Sequence, residues 1–310
     1  MKHIRTIIIV LFFLYPSLGF SETKAQASEW FEKGLKYHTK GEYNKAIEAY
    51  TSAIVLNPNY ADAYNNRGLA YDNKGQYNLA IGDYNKAIAL NPNLAEAYNN
   101  RGNAYDSKGQ HDRAMEDYNK AIAINPNYAK TYYNRGVAYG NKGQYDRAIG
   151  DYNKAIALNP NDVRAYTNRG AAYYNKGQYD MAIDDSNKAI AINPNYAEAY
   201  TNRGNAYDSK GQYDRAMGDY NKAIAVNPNY EKAYYNRGVA YGNKGQYGMA
   251  IEDYSKAIAI NPNYVEAYYN RGAAYYNKGI MGKAISDFEK ACDMGLKNGC
   301  KILKTVIENR

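Results

Sequence analysis

Residues 61–94 read ADAYNNRGLAYDNKGQYNLAIGDYNKAIALNPNL. Small or apolar side chains fall at positions 1, 4, 8 and 11 of this stretch, and again at 17, 20, 21, 24, 27 and 28. Both sets keep the three- and four-residue spacing of one helix face. Lys74-Gly75 separates them, and the glycine supplies the left-handed conformation that closes a helix. Asn91-Pro92 ends the second helix, because proline pushes the residue before it out of the α region. Asn93 is then placed to cap the helix that follows.

The pattern extends in both directions. Asn-Pro recurs every 34 residues, at 57, 91, 125, 159, 193, 227 and 261, and includes every proline beyond residue 20. Numbering from Ala27 gives eight copies: 27–60, 61–94, 95–128, 129–162, 163–196, 197–230, 231–264 and 265–298. A fixed period of this length marks a solenoid, in which each copy stacks on its neighbours. The 310 residues would otherwise suggest two domains. With 38 tyrosines and a mean hydropathy of -0.75, such a chain buries rings and alanines rather than branched aliphatic bulk. Gly68, Ala80 and Ala87 let two helices approach, and Tyr64, Tyr71 and Tyr84 fill the space around them.

In copy one, Trp30, Gly34, Tyr37, Ala46, Tyr50, Ala53 and Pro58 resemble the signature of the tetratricopeptide repeat family. The resemblance covers 27–298. It implies an all-α, right-handed α-solenoid of eight helix pairs whose first helices line a concave groove.

Two charged positions depart from that family pattern. Position 7, usually Leu, is Arg in copies two to eight: Arg67, Arg101, Arg135, Arg169, Arg203, Arg237 and Arg271. Position 23 is Asp in the same copies: Asp83, Asp117, Asp151, Asp185, Asp219, Asp253 and Asp287. Both lie at similar distances from the hairpin turn, so an Arg–Asp pair is expected within or between copies. Solvated pairs contributing little are one alternative; a basic stripe for an acidic ligand is another. Ser186 replaces the ring at position 24 in copy five, so a gap and a local weak point are expected there.

The ends differ from the repeats. Lys2 and Arg5, the apolar run from Thr6 to Tyr15, and small residues Gly19 and Ser21 read as an export signal, 1–21, cut after Ser21. A short linker, 22–26, would follow. The mature charge becomes +8 − 2 = +6, and a periplasmic or secreted location is expected, with no membrane span after cleavage. An uncleaved anchor is the alternative. At the other end Leu296 replaces the proline, and 299–310 is expected as a capping helix. Cys292 and Cys300 are the only cysteines; in a secreted chain the even count suggests a disulfide, with two reduced, packed thiols as the alternative. Their spacing also resembles that of Sel1-like helical repeats, where such a pair staples adjacent helices.

No catalytic constellation, phosphate loop or metal spacing stands out, so neither enzyme activity nor a cofactor is expected. His38 and His111 occupy different repeat positions, and Asp184-Asp185 reads as solvated surface. The candidate site is the first-helix face. Position 6 is Asn66, Asn100, Asn134, Asn168, Asn202, Asn236 and Asn270, after Glu32 in copy one. A carboxamide both donates and accepts, so such a column could clamp an extended backbone. It resembles the asparagine ladder in the repeats of O-linked N-acetylglucosamine transferases, although no catalytic domain of that kind fits in this chain. Specificity would come from positions 9 and 12. Position 9 runs Asn103, Val137, Ala171 and then Asn205, Val239, Ala273; position 12 runs Asp106, Gly140, Tyr174 and then Asp208, Gly242, Tyr276. Copy three matches copy six at 30 of 34 positions but copy four at only 23, so a 102-residue block is duplicated. The expected partner is a protein or peptide segment, not nucleic acid, since the positive charge is modest. The alternative is a carbohydrate stacked on Tyr133, Tyr174, Tyr235, Tyr269 and Tyr276 in an export assembly.

Overall fold

The computed structural model describes the backbone of residues 16–308 and the side chains from 23 to 308. The basic and apolar parts of the expected export signal, up to residue 15, and the final two residues of the expected cap lie outside the described residues. The described residues form seventeen helices and no strand. None of those helices is long and apolar enough to cross a membrane.

The chain divides into two compact units, one ending at Lys142 and the other beginning at Gly143. In the first, α1 (Pro16–Thr39) pairs with α2 (Tyr43–Leu56), α3 (Ala61–Asn73) with α4 (Tyr77–Leu90), and α5 (Ala95–Ser107) with α6 (His111–Ile124); α7 (Ala129–Asn141) follows. The second opens with α8 (Tyr145–Leu158). It continues with the pairs α9 (Val163–Asn175) and α10 (Tyr179–Ile192), α11 (Ala197–Ser209) and α12 (Tyr213–Val226), α13 (Glu231–Asn243) and α14 (Tyr247–Ile260), and α15 (Val265–Asn277) and α16 (Met281–Asp293). A last helix, α17 (Lys297–Glu308), packs on α16. Inside each unit every second helix also packs on the first helix of the next copy, and successive first helices lie side by side.

Local chemistry accounts for the pairing. Gly75 has φ 71°, and its N–H donates to Asp72 O at 2.8 Å while Gln76 N–H donates to Tyr71 O at 2.9 Å. These bonds satisfy carbonyls that the end of α3 would leave open. Across the hairpin Gly68 faces the Tyr84 ring, which is fully buried with Ala80 and Ala104. A Cβ at Gly68 would stand 2.8 Å from Tyr84 Cε1, so only glycine admits the ring at this distance.

Two expectations are corrected here. Residues 22–26 are not a linker: they are helical and continuous with α1, which also runs through the expected cut after Ser21. Asn93 does not cap α5; Leu94 holds that position without a side-chain bond. Instead Asn91 Oδ1, from the Asn-Pro itself, accepts from Asn93 N–H at 3.1 Å and fixes the turn around the proline. The same bond recurs at Asn57, Asn125, Asn193, Asn227 and Asn261.

At the C-terminus Gly295, with φ 92°, turns the chain into α17, which starts two residues before the expected cap. Val306 of α17 packs on Ala284 and Phe288, closing the apolar face of copy eight. A disulfide joins Cys292 to Cys300 with a Cα–Cα distance of 4.6 Å.

Candidate functional site on the first-helix face

The frame behind this face is an arginine fork. Arg67 donates from Nε to Asp83 Oδ2 and from Nη2 to Asp83 Oδ1, both at 2.8 Å. The same two-point geometry, at 2.6–2.8 Å, joins Arg101 to Asp117, Arg169 to Asp185, Arg203 to Asp219, Arg237 to Asp253 and Arg271 to Asp287. All six pairs lie within one copy. Arg135 and Asp151 belong to different compact units. The aspartates are buried, so Asp185 is not the solvated surface group expected beside Asp184. Each fork is thus a charge-assisted bidentate pair rather than a loose surface bridge. The hydrogen bonds that Arg67 donates to Asp83 push its guanidinium above its ordinary value, outweighing the opposing effect of burial. With the guanidinium neutralised in place, these arginines do not form a basic stripe.

The third arm of each arginine reaches the preceding copy. Arg203 Nη1 donates to Asn187 Oδ1 at 2.6 Å, and Arg101, Arg237 and Arg271 do likewise to Asn85, Asn221 and Ser255. Sequence reasoning missed this role of position 25. It also missed a second link at the hairpin edge. Lys142 Nζ donates to Asp112 Oδ1 at 2.9 Å, and Lys74, Lys108, Lys176, Lys210 and Lys244 bond Asn44, Asn78, Asp146, Asp180 and Asp214. The signal was available, since position 14 is Lys in every copy and position 18 is Asp or Asn in copies one to six. Open hollows of about 540 Å³ recur beside these pairs, one lined by Gly211, Gln212, Tyr213, Asp214, Arg215 and Lys244. They lie at the hairpin turns, and no residue of positions 6, 9 or 12 lines them.

The asparagine column is largely committed inside the chain. Asn100 Nδ2 donates to Asn65 Oδ1 at 3.2 Å and Asn134 Nδ2 to Asn99 Oδ1 at 3.0 Å. In the second compact unit Asn202 donates to Thr167 O at 3.5 Å, Asn236 to Asn205 Oδ1 at 2.9 Å and Asn270 to the Tyr235 hydroxyl at 2.9 Å. Asn66 turns back to Asp62 O in its own helix. Asn100 is buried, while Asn168 is half-buried on the same face. In copies three, four, six, seven and eight the column therefore ties the first helix to the one before it. One N–H per amide is used in this way, and the Asn100 carbonyl also accepts from Asn99 Nδ2 at 3.2 Å.

Positions 9 and 12 carry the variation. Asn103 Oδ1 accepts from the Tyr118 hydroxyl at 2.8 Å, and Asn205 Oδ1 from Tyr220 at 2.9 Å. The duplicated aspartates diverge. Asp106 Oδ1 pairs with His111 Nδ1 at 2.7 Å, whereas Asp208, followed by Tyr213 in the place of His111, has a buried Oδ1 with no hydrogen-bond partner among the described residues. Burial pushes the Asp208 carboxyl above its ordinary value. Among the tyrosines, Tyr276 is 46% exposed. Tyr133 is half-buried; Tyr235 packs against Tyr254 and Tyr264, and Tyr269 against Phe288. Tyr174 is half-buried beside Tyr179.

The class defined by this architecture is a stack of helical hairpins joined copy to copy by side-chain bonds. Models of the TPR repeat match residues 34–75, 102–143, 204–245 and 243–279, and tetratricopeptide repeat models match 61–94, 129–162, 163–196, 83–116, 187–217 and 265–294. The chain belongs to the tetratricopeptide repeat family. No curated protein matches it. Among solved structures it is similar to a chain of the APC/C hetero-tetramer Cut9-Hcn1, with TM-score 0.68, 17% identity and 85% of this chain covered. It spans about half of that chain, 52%. A tetratricopeptide repeat protein from Parabacteroides merdae gives TM-score 0.63 and 24% identity, over 81% of this chain and 99% of the other. YrrB, described as a TPR protein with an unusual peptide-binding site, gives TM-score 0.51 and 27% identity, over 62% of this chain and 98% of the other.

Proposed function

We propose that the chain is a non-enzymatic scaffold that holds an extended segment of a partner protein along its first-helix face. The observation that carries this reading is Asp208. Its buried Oδ1 lacks a donor among the described residues, on a face where Asp106 has one. Leaving a buried acceptor unpaired is costly, and a partner's N–H would relieve that cost. Family membership and the peptide-binding site named for YrrB support the same direction. The carbohydrate reading has less support, because Tyr235 and Tyr269 are packed against other rings and only Tyr276 among the five stacking candidates is well exposed. Residues 1–21 are proposed to direct export, and the Cys292–Cys300 disulfide fits an oxidising compartment. N-terminal sequencing of the chain from its own cells tests the cut after Ser21.

A peptide library and a glycan array probed with the same protein test the scaffold reading. Binding to unstructured peptides, weakened by Asp208→Ala, is the expected result. Binding to glycans alone would overturn it.

A further inference from the structure

Copy five is built around a missing ring. In copies three, six and eight the position-24 ring lies on the position-8 glycine, so that a Cβ there would stand 2.7 Å from Tyr118 at Gly102, 2.7 Å from Tyr220 at Gly204 and 2.9 Å from Phe288 at Gly272. At Gly170 no ring is met: the nearest atoms are Asp185 Cβ at 3.3 Å, Ala182 O at 3.4 Å and Ser186 Oγ at 3.8 Å. Ser186 turns its hydroxyl to Ala182 O at 2.8 Å and is fully buried, so the place is closed to solvent. Tyr174 leans inward beside it. It packs against the buried cluster of Ala182, Ile183 and Ala206 and bonds Ser209 Oγ through its hydroxyl at 3.1 Å. In copy eight, the duplicate of copy five, the equivalent Tyr276 takes no part in the core cluster and stands exposed, and Phe288 fills the ring position.

We propose that the ring site of copy five, between Gly170 and Ser186, is a pocket for a phenylalanine side chain of the bound segment, gated by Tyr174. This rests on the reading that a protein segment lies along the first-helix face. The partner supplies the ring that the chain omits, and Tyr174 rotates outward to the position that Tyr276 already holds. Copy eight identifies the occupant. It shares Ala at position 9 and Tyr at position 12 with copy five, and its ring is a phenyl. At Tyr118 and Tyr220 position 9 is an asparagine that accepts the ring hydroxyl, whereas beside Tyr254 it is Val239. Ala171 offers no acceptor. Tyr84, with Leu69 at position 9, has a buried hydroxyl with no hydrogen-bond partner among the described residues. A tyrosine hydroxyl would find no acceptor at position 9 of copy five, as at Tyr84, so the site favours phenylalanine.

The test is saturation-transfer NMR with N-acetyl-phenylalanine amide on the full chain, with the tyrosine and leucine amides as controls. The phenylalanine amide is expected to bind one site. Ser186→Phe fills the site and should weaken binding at least tenfold with helicity intact. Tyr174→Ala removes the gate and should strengthen binding severalfold. The tyrosine amide should bind less well than the phenylalanine amide. No binding to either wild type or Tyr174→Ala, or binding undiminished in a folded Ser186→Phe chain, overturns the pocket. A peptide binder without phenylalanine-amide binding sinks the pocket and spares the scaffold; the reverse pattern spares the pocket and sinks the scaffold.

Discussion

Replacing Gly204 by alanine is expected to unsettle copy six, whereas the same change at Gly170 leaves copy five nearly as stable as before. A Cβ at Gly204 stands 2.7 Å from Tyr220 Cε1 and 3.0 Å from Cδ1, well inside the ~3.5–4.0 Å of a good carbon contact. The ring cannot retreat freely. Tyr220 is 2% exposed, packs on Ala216 and Ala240, and is held by its bond to Asn205. Overpacking of this kind costs about 1–3 kcal/mol. Alanine returns about 1 kcal/mol through helix propensity, so the net loss is roughly 0–2 kcal/mol. At Gly170 the nearest atoms are at 3.3 and 3.4 Å and need to move only slightly, so the helix gain roughly offsets the contact. The two variants should differ by up to about 2 kcal/mol. Because a solenoid opens locally, native-state hydrogen exchange is the suitable assay, comparing amides of α11 and α12 in one variant with those of α9 and α10 in the other. Equal losses in the two variants, or a larger loss at Gly170, would refute the view that copy five lacks a ring where copy six has one.

The fork makes a sharper demand. Arg203→Ala strands the buried Asp219 carboxylate and should cost about 2–3 kcal/mol, below the ~3–5 of a fully buried pair because the arginine is about a fifth exposed; replacing both residues by leucine should cost less, as urea midpoints would show. Stability should also fall at alkaline pH. Burial holds the hydroxyls of Tyr84, Tyr118, Tyr220 and Tyr254 well above their ordinary value, so the stabilisation is full below about pH 10 and is lost as pH rises further, by roughly 1.4 kcal/mol per pH unit for each ring. A urea midpoint that stays flat between pH 8 and 11 would contradict this. Reducing Cys292–Cys300 removes a short loop closure of about 2–3 kcal/mol, and faster exchange should be confined to α16 and α17, leaving α11 unchanged.

Much of the fold was legible because a strict period compares each position with itself seven times. Glycine at positions 8 and 15, the ring at 24 and the Arg and Asp at 7 and 23 all follow from packing or charge within one hairpin. The misses share a cause. Asn100, Asn134 and Asn270 bond residues 35 positions back, and Arg203 and Lys142 also reach into the preceding copy. Reading one hairpin at a time treats those faces as open to solvent, whereas stacking turns them into seams. Asp185 drew two readings: position 23 pairs it with Arg169, as found, while beside Asp184 it looks like surface. The missing ring at Ser186 was visible in the sequence. The inward turn of Tyr174 was not, because nothing in position 12 distinguishes it from Tyr276.

The scaffold claim is tested most directly by site-specific photo-crosslinking. A photoreactive residue is placed at Tyr276, exposed on the first helix of copy eight, or at Lys222, exposed on the second helix of copy six, and the partner is captured in extracts of the native cells. The account predicts a discrete partner crosslinked from Tyr276 and none from Lys222. Crosslinks from Lys222 alone, or equally from both, would contradict it.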